Sequence, residues 1–169
     1  MKFFITVVFV FSLAGYVLAG DTSEISTTPQ FEKMKSLVGN WKGKGGDGKP
    51  INVSYKLVSS GSALMETLSM EEHEDAMVTM YHVNGTKLMM THYCAVGNQP
   101  RMQAAKSSAE VNKLVFKFVD ATNLAHPGDP HMSKLIVTFK DNDHFTQEWT
   151  MSKNGKETDH DTFEYERAH

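Results

Sequence analysis

The sequence predicts an all-β protein, an up-and-down antiparallel β-barrel of about ten strands with a short N-terminal helix. Three observations carry this. Gly39-Asn40-Trp41 follows a single amphipathic helical stretch, where a glycine allows a sharp turn and an indole can plug a barrel floor. Ten short segments of alternating hydrophobicity then follow, roughly 40–45, 50–58, 62–71, 76–83, 86–94, 100–105, 111–119, 131–140, 143–151 and 156–166. Asn84-Gly85 and Asn154-Gly155 separate four of them, and Asn-Gly is the strongest two-residue hairpin signal. A β-sandwich competes, but sequential hairpins favour a meander, and closing it removes the exposed edges.

Residues 1–20 read as a signal peptide: Lys2 forms a positive head, Phe3–Phe11 is almost wholly apolar, and Val17-Leu18-Ala19 supplies small residues for cleavage. The expected product is exported, to a periplasmic or extracellular space. Residues 21–30 are polar and read as a flexible tether, leaving 31–169 as one barrel domain. Phe31, Met34, Leu37 and Val38 form one apolar stripe over two helical turns, which Gly39 ends.

The Asn84-Gly85 turn assigns faces to the strands beside it. With these two residues as the loop, Val83 pairs with Thr86, Tyr81 with Leu88, Thr79 with Met90 and Met77 with His92. Met77, Thr79, Tyr81, Leu88, Met90, His92 and Cys94 then share one face, expected to point inward, while His82 and Lys87 face solvent. Alternation elsewhere adds Val53, Tyr55 and Leu57, Leu114, Phe116 and Phe118, and Leu135, Val137 and Phe139 as inward rows.

Charge and motifs exclude several functions. Removing residues 1–20 takes away Lys2 alone, so the formal charge of −3 becomes −4, which argues against nucleic acid and offers no polybasic patch to a membrane. Cys94 is the single cysteine, so no internal disulfide forms, and it reads as a small core residue. The sequence contains no Gly-x-Ser-x-Gly, His-Glu-x-x-His, phosphate loop or Cys-x-x-Cys. Catalysis therefore has little support, and Tyr81 and His92 read as a buried pair satisfying each other. Glu71–Asp75 reads as a solvated charge run at a turn. His126, Asp129 and His131 offer three donors within six residues but read as plain loop residues, and the many methionines read as adaptable core filler.

Phe31 with Gly39-Asn40-Trp41-Lys42-Gly43-Lys44-Gly45 resembles the opening of the calycin superfamily, the lipocalins and fatty-acid-binding proteins. Its Gly-x-Trp-x-Gly-x-Gly form resembles the small haem-binding nitrobindin barrels. Residues 80–85, 88–94, 97–102 and 143–149 are similar to exported bacterial proteins of unknown function. The lipocalin resemblance implies that a late arginine, Arg167, lies against the floor Trp41, with Gly39 and these two residues as structural elements. The nitrobindin resemblance implies His160 as a proximal ligand, making haem the alternative cofactor to none.

The expected function is non-covalent binding of a small hydrophobic or amphipathic ligand inside a monomeric barrel. Tyr55, Thr79, Tyr81, Met90, His92, Arg101, Phe116 and Trp149 are the expected lining residues. Among these, Tyr81, His92 and Arg101 would orient the ligand, Arg101 by paired hydrogen bonds to an anionic head group. A barrel filled by its own side chains, acting as an interaction module, is the remaining alternative.

Overall fold

The structure, a computed structural model, describes residues 27–70, 76–106 and 111–169. The expected signal peptide, most of the tether and the Glu71–Asp75 charge run lie outside the described residues. The elements are α1 (Pro29–Lys35), β1 (Gly39–Lys44), β2 (Pro50–Val58), β3 (Ala63–Ser69), β4 (Met77–Asn84) and β5 (Lys87–Tyr93), then β6 (Gln99–Ala104), β7 (Lys113–Thr122), β8 (His131–Phe139), β9 (His144–Lys153) and β10 (Lys156–Arg167). All ten strands pair antiparallel with their sequence neighbours, and β10 closes onto β1. The molecule is a closed up-and-down barrel.

Helix α1 starts at Pro29, within the stretch read as a tether. Thr28 caps it by accepting a hydrogen bond from the Phe31 amide at 3.1 Å, and proline fits the first helical turn. Phe31, Met34 and Leu37 are buried beneath one end of the barrel.

The same end holds the closing seam. Trp41 on β1 is in register with Arg167 on β10. The guanidinium carbon lies 4.1 Å from the indole centroid, a cation–π contact. The Arg167 fork also donates to the carbonyls of Ser36 at 3.0 Å, Val38 at 3.1 Å and Asn142 at 3.0 Å. One side chain thus ties the end of the helical segment to the β8–β9 loop across the floor. The indole Nε1 donates to the Leu37 carbonyl at 2.7 Å, and Phe145 packs edge-on at 4.8 Å. Two glycines make room for this. Gly39 has φ of +126°, and a Cβ there would stand 3.3 Å from Arg167 Nη1. A Cβ on Gly43 would meet the Glu164 carbonyl at 2.4 Å and the Tyr165 ring at 2.6 Å.

The hairpin between β4 and β5 differs from expectation by two residues. Asn84 pairs with Lys87, Tyr81 with Met90 and Thr79 with His92, so the loop is Gly85-Thr86. Gly85 alone has positive φ there, +62°, the requirement of a turn with glycine first. At the β9–β10 turn, Asn154 and Gly155 both have positive φ, and the two-residue loop is as expected. An offset of two preserves the faces, so Thr79, Tyr81, Leu88, Met90 and His92 are buried, with Met77 partly so. Cys94 falls just beyond β5 and is half-buried rather than in the core. Leu57 and Phe118, expected inside, are exposed: Leu57 lies near the end of β2, beside the turn at Ser59–Gly61, and Phe118 lies beyond Lys117, the last residue of β7 paired with β8.

Replacing Arg167 with alanine removes several charge-assisted hydrogen bonds and the cation–π contact, and should cost about 2–4 kcal/mol in urea unfolding. Arg167→Lys should recover less than half of that, because an ammonium cannot reproduce the fork. A loss below about 0.5 kcal/mol for alanine, the size of an ordinary surface substitution, would contradict this role.

Candidate functional site

A polar cluster lies inside the barrel, centred on a residue absent from the expected lining set. Glu66 on β3 is buried between Leu64 and Leu68 on the same face. Its Oε2 accepts from the Tyr81 hydroxyl at 2.8 Å and from Gln147 Nε2 at 2.9 Å. Gln147 also donates to the Tyr55 hydroxyl at 3.0 Å, and its Oε1 accepts from Trp149 Nε1 and the Tyr165 hydroxyl, each at 3.3 Å. The Gln147 amide therefore has both its donor and its acceptor side occupied. Glu66 Oε1 does not: it is buried and has no hydrogen-bond partner among the described residues. Such an atom costs about 1–3 kcal/mol.

Burial raises the Glu66 carboxyl above the usual glutamate range, against the opposing influence of the neighbouring Tyr81, Tyr55 and Gln147 polar groups. Burial and then the Glu66 charge push the Tyr81 phenol well above its ordinary value, so it remains a donor. Burial likewise drives Tyr55 and Tyr165 upward.

Beside this cluster stands a second pair. Thr79, cross-strand from Glu66, hydrogen-bonds His92 Nδ1 at 2.9 Å. The His92 ring lies 4.6 Å from the Trp149 ring centroid at a tilt of 43°. Burial pushes the imidazole down to about 4, so His92 is neutral at pH 7. Tyr81 and His92 do not bond each other, contrary to expectation; register sends one to Glu66 and the other to Thr79.

Space lies at the barrel mouth, opposite the α1 floor. A cavity of about 30 Å³ is bounded by Leu68, Met70, Met77, His92, Met132, Trp149, Asp161 and Phe163. Outside it runs a groove of about 450 Å³ between the β1–β2 loop and β10, lined by Gly45, Gly46, Asp47, Lys49, Ile51, Met70, His160, Asp161, Thr162 and Phe163. Met70, Asp161 and Phe163 border both. A one-residue bulge in β10 between Glu157 and His160 sets this wall, leaving Asp161 opposite Trp149 and Phe163 opposite Gln147.

Of the expected lining residues, His92 and Trp149 border the cavity. Tyr55, Thr79, Tyr81, Met90 and Phe116 are buried in the packed interior below it. Arg101 is a correction. It lies outside the barrel because Pro100 and Met102 hold the inward positions of β6, and its Nε donates to Asp120 on β7 at 2.6 Å. An exposed, already paired guanidinium cannot orient a guest in the interior. His160 pairs in register with Thr150, its side chain 60% exposed, and it borders the groove. His131 turns its Nδ1 to the Asp129 carbonyl and stacks on Phe118, while the His126 side chain is 83% exposed. Among the described residues, no group of three or more His, Cys, Asp or Glu could hold a metal ion. No helix among the described residues is long and apolar enough to cross a membrane.

Sequence reasoning missed Glu66 and Gln147. The available signal was parity: Leu64-x-Glu66-x-Leu68 and Phe145-x-Gln147-x-Trp149 each place a polar residue between apolar ones on one face. No protein-family model matches this chain, and no curated protein matches it.

Two pH effects of opposite sign follow. The unfolded His92 takes up a proton near 6.5 while the folded one resists until about 4, so this residue costs stability as pH falls through that window, about 3 kcal/mol when complete. Glu66 acts oppositely: its raised folded value makes stability decline as pH rises above the unfolded value of 4.5. Glu66→Gln should therefore raise Tm relative to the parent by more at pH 8 than at pH 5. A difference that is flat or reversed across that range would show that Glu66 does not titrate this way.

Proposed function

We propose that this barrel binds a small amphipathic ligand at its mouth, without chemistry on it. The polar part would lie in the groove beside Asp47, Lys49, His160 and Asp161. The apolar part would press on Ile51, Met70 and Phe163 and on the cavity behind them. The carrying observation is that the groove and the cavity share Met70, Asp161 and Phe163, so that flexible or rotatable side chains are what divide them. A volume of about 450 Å³ suits a small molecule, and an apolar wall with a few placed polar groups is the usual character of such sites. Methionine is unbranched and adaptable, so Met70 can repack around a guest.

The unpartnered Glu66 Oε1 supports the same reading. A barrel built only to be stable gains nothing from a buried carboxyl oxygen without a donor. The chain Trp149–Gln147–Glu66 links that carboxyl to the cavity wall, so a guest contacting Trp149 would perturb it. The calycin-like reading of the fold fits this function, since barrels of that kind hold guests at an open end.

A second reading has an observation of its own. The cavity inside the mouth measures only about 30 Å³, and Tyr55, Tyr81, Met90 and Phe116 below it are buried, which favours a filled barrel acting as an interaction module. Titration with N-phenyl-1-naphthylamine separates the two. The ligand reading expects saturable one-site fluorescence enhancement, weakened about tenfold or more by Met70→Trp, a change of about 1.4 kcal/mol, with Tm preserved. Absence of saturable binding, or indifference to a folded Met70→Trp variant, would favour the interaction module. Native mass spectrometry of protein from its natural source would then weigh any co-purifying guest.

A further inference from the structure

We propose that the mouth cavity is a binding site for a soft monovalent cation of the copper(I) class, held by the thioethers of Met70, Met77 and Met132 and by Nε2 of His92. This does not rest on the amphipathic ligand, since it uses the inner cavity and needs no guest in the groove.

The lining has an unusual chemical make-up. Three thioethers and one imidazole are drawn from four separate strands or strand ends: Met70 just past β3, Met77 at the start of β4, His92 near the end of β5 and Met132 at the start of β8. A cavity needing only apolar filler is served by leucine or isoleucine. Thioether sulfur is also a soft donor, and soft donors select copper(I) and its heavier analogue silver(I) over harder ions. Calcium and magnesium require oxygen ligands, of which the described lining residues offer one carboxylate, Asp161. Zinc sites use thiolate, imidazole and carboxylate, and here three of the four proposed donors are neutral thioethers.

His92 is prepared as a ligand. Its Nδ1 is engaged by Thr79, its ring rests on Trp149, and its Nε2 has no hydrogen-bond partner among the described residues. Holding one ring nitrogen fixes the orientation of the other, the arrangement that metal-ligating histidines use.

Size and charge agree. About 30 Å³ is room for a single ion or water and far too little for an organic molecule. Among the described residues the lining contains the carboxylate of Asp161 and no lysine or arginine, a local field that favours a positive charge. With uncharged donors otherwise, a monovalent ion is balanced and a divalent ion is not.

The test uses silver(I) as a redox-inert probe, added as nitrate in chloride-free buffer to the Cys94→Ser protein, which removes the competing thiol. Binding is followed by calorimetry and tryptophan emission, and the His92 ring nitrogens by NMR. Expected are one tight equivalent, quenched emission, a moved His92 Nε2 resonance, and no displacement by excess zinc(II). Combining Met70→Leu, Met77→Leu and Met132→Leu in that background keeps volume while removing the sulfurs, and should weaken silver by at least about 100-fold. Unchanged affinity in the folded triple variant, displacement by zinc(II), or an unmoved Nε2 resonance would overturn the site. The NMR result decides the matter even if the triple variant fails to fold. Failure here leaves the naphthylamine titration standing, and failure of that titration leaves this site intact.

Discussion

The structure depends on one seam. A meander of ten strands becomes a barrel only when its first and last strands pair, and each residue at that junction serves the pairing. Gly43 lets the Tyr165 ring cross β1, Gly39 supplies a backbone turn that side-chain-bearing residues rarely adopt, and Arg167 covers the Trp41 indole while holding carbonyls from two other segments. Without the seam, β1 and β10 would each expose an unpaired edge, and the interior polar cluster would open to water.

The closed seam makes the interior chemically unusual. In a dry interior a carboxyl group is costly, yet Glu66 sits among Tyr81, Gln147 and Tyr55, and the surrounding donors offset only part of its desolvation. The cluster is graded along the barrel. Aromatic packing of Trp41, Phe145 and Tyr165 seals the floor, hydrogen-bonded polar groups occupy the middle, and sulfur, imidazole and indole ring the mouth. That ordering gives the open end a polarisable wall backed by a polar layer, and it sets this barrel apart from one filled uniformly with aliphatic side chains.

The architecture was largely legible because its signals are local. Turn glycines and asparagines punctuate strands at positions any reader can mark, and strand extents follow within a residue or two, except that β7 runs three residues past its expected end. The β4–β5 pairing was not fully legible, since Asn84-Gly85 and Gly85-Thr86 are both acceptable loops and only the tertiary context chooses between them. The error of two was harmless to the faces because side chains alternate with period two. Glu66 was passed over for a different reason. Parity placed it on one face with Leu64 and Leu68, but burying a lone glutamate runs against its usual preference. Arg101 misled for the converse reason. Its chemistry suggested an anion clamp, whereas Pro100 and Met102 already claimed the inward parity. Polar residues chosen for a site break the local rules, so pattern reading finds the walls of a chamber more readily than what has been placed within it.

The bond between the Arg167 guanidinium and the Val38 carbonyl spans 129 residues. On a ribosome, the opening helix and first strand would emerge long before the arginine that secures them, and would stay unsecured until the tenth strand of the barrel had been made. Architectures dominated by such distant contacts fold slowly, because ring closure must precede the interactions that reward it. The native barrel therefore cannot close until its tenth strand has been made, whatever local structure forms before it.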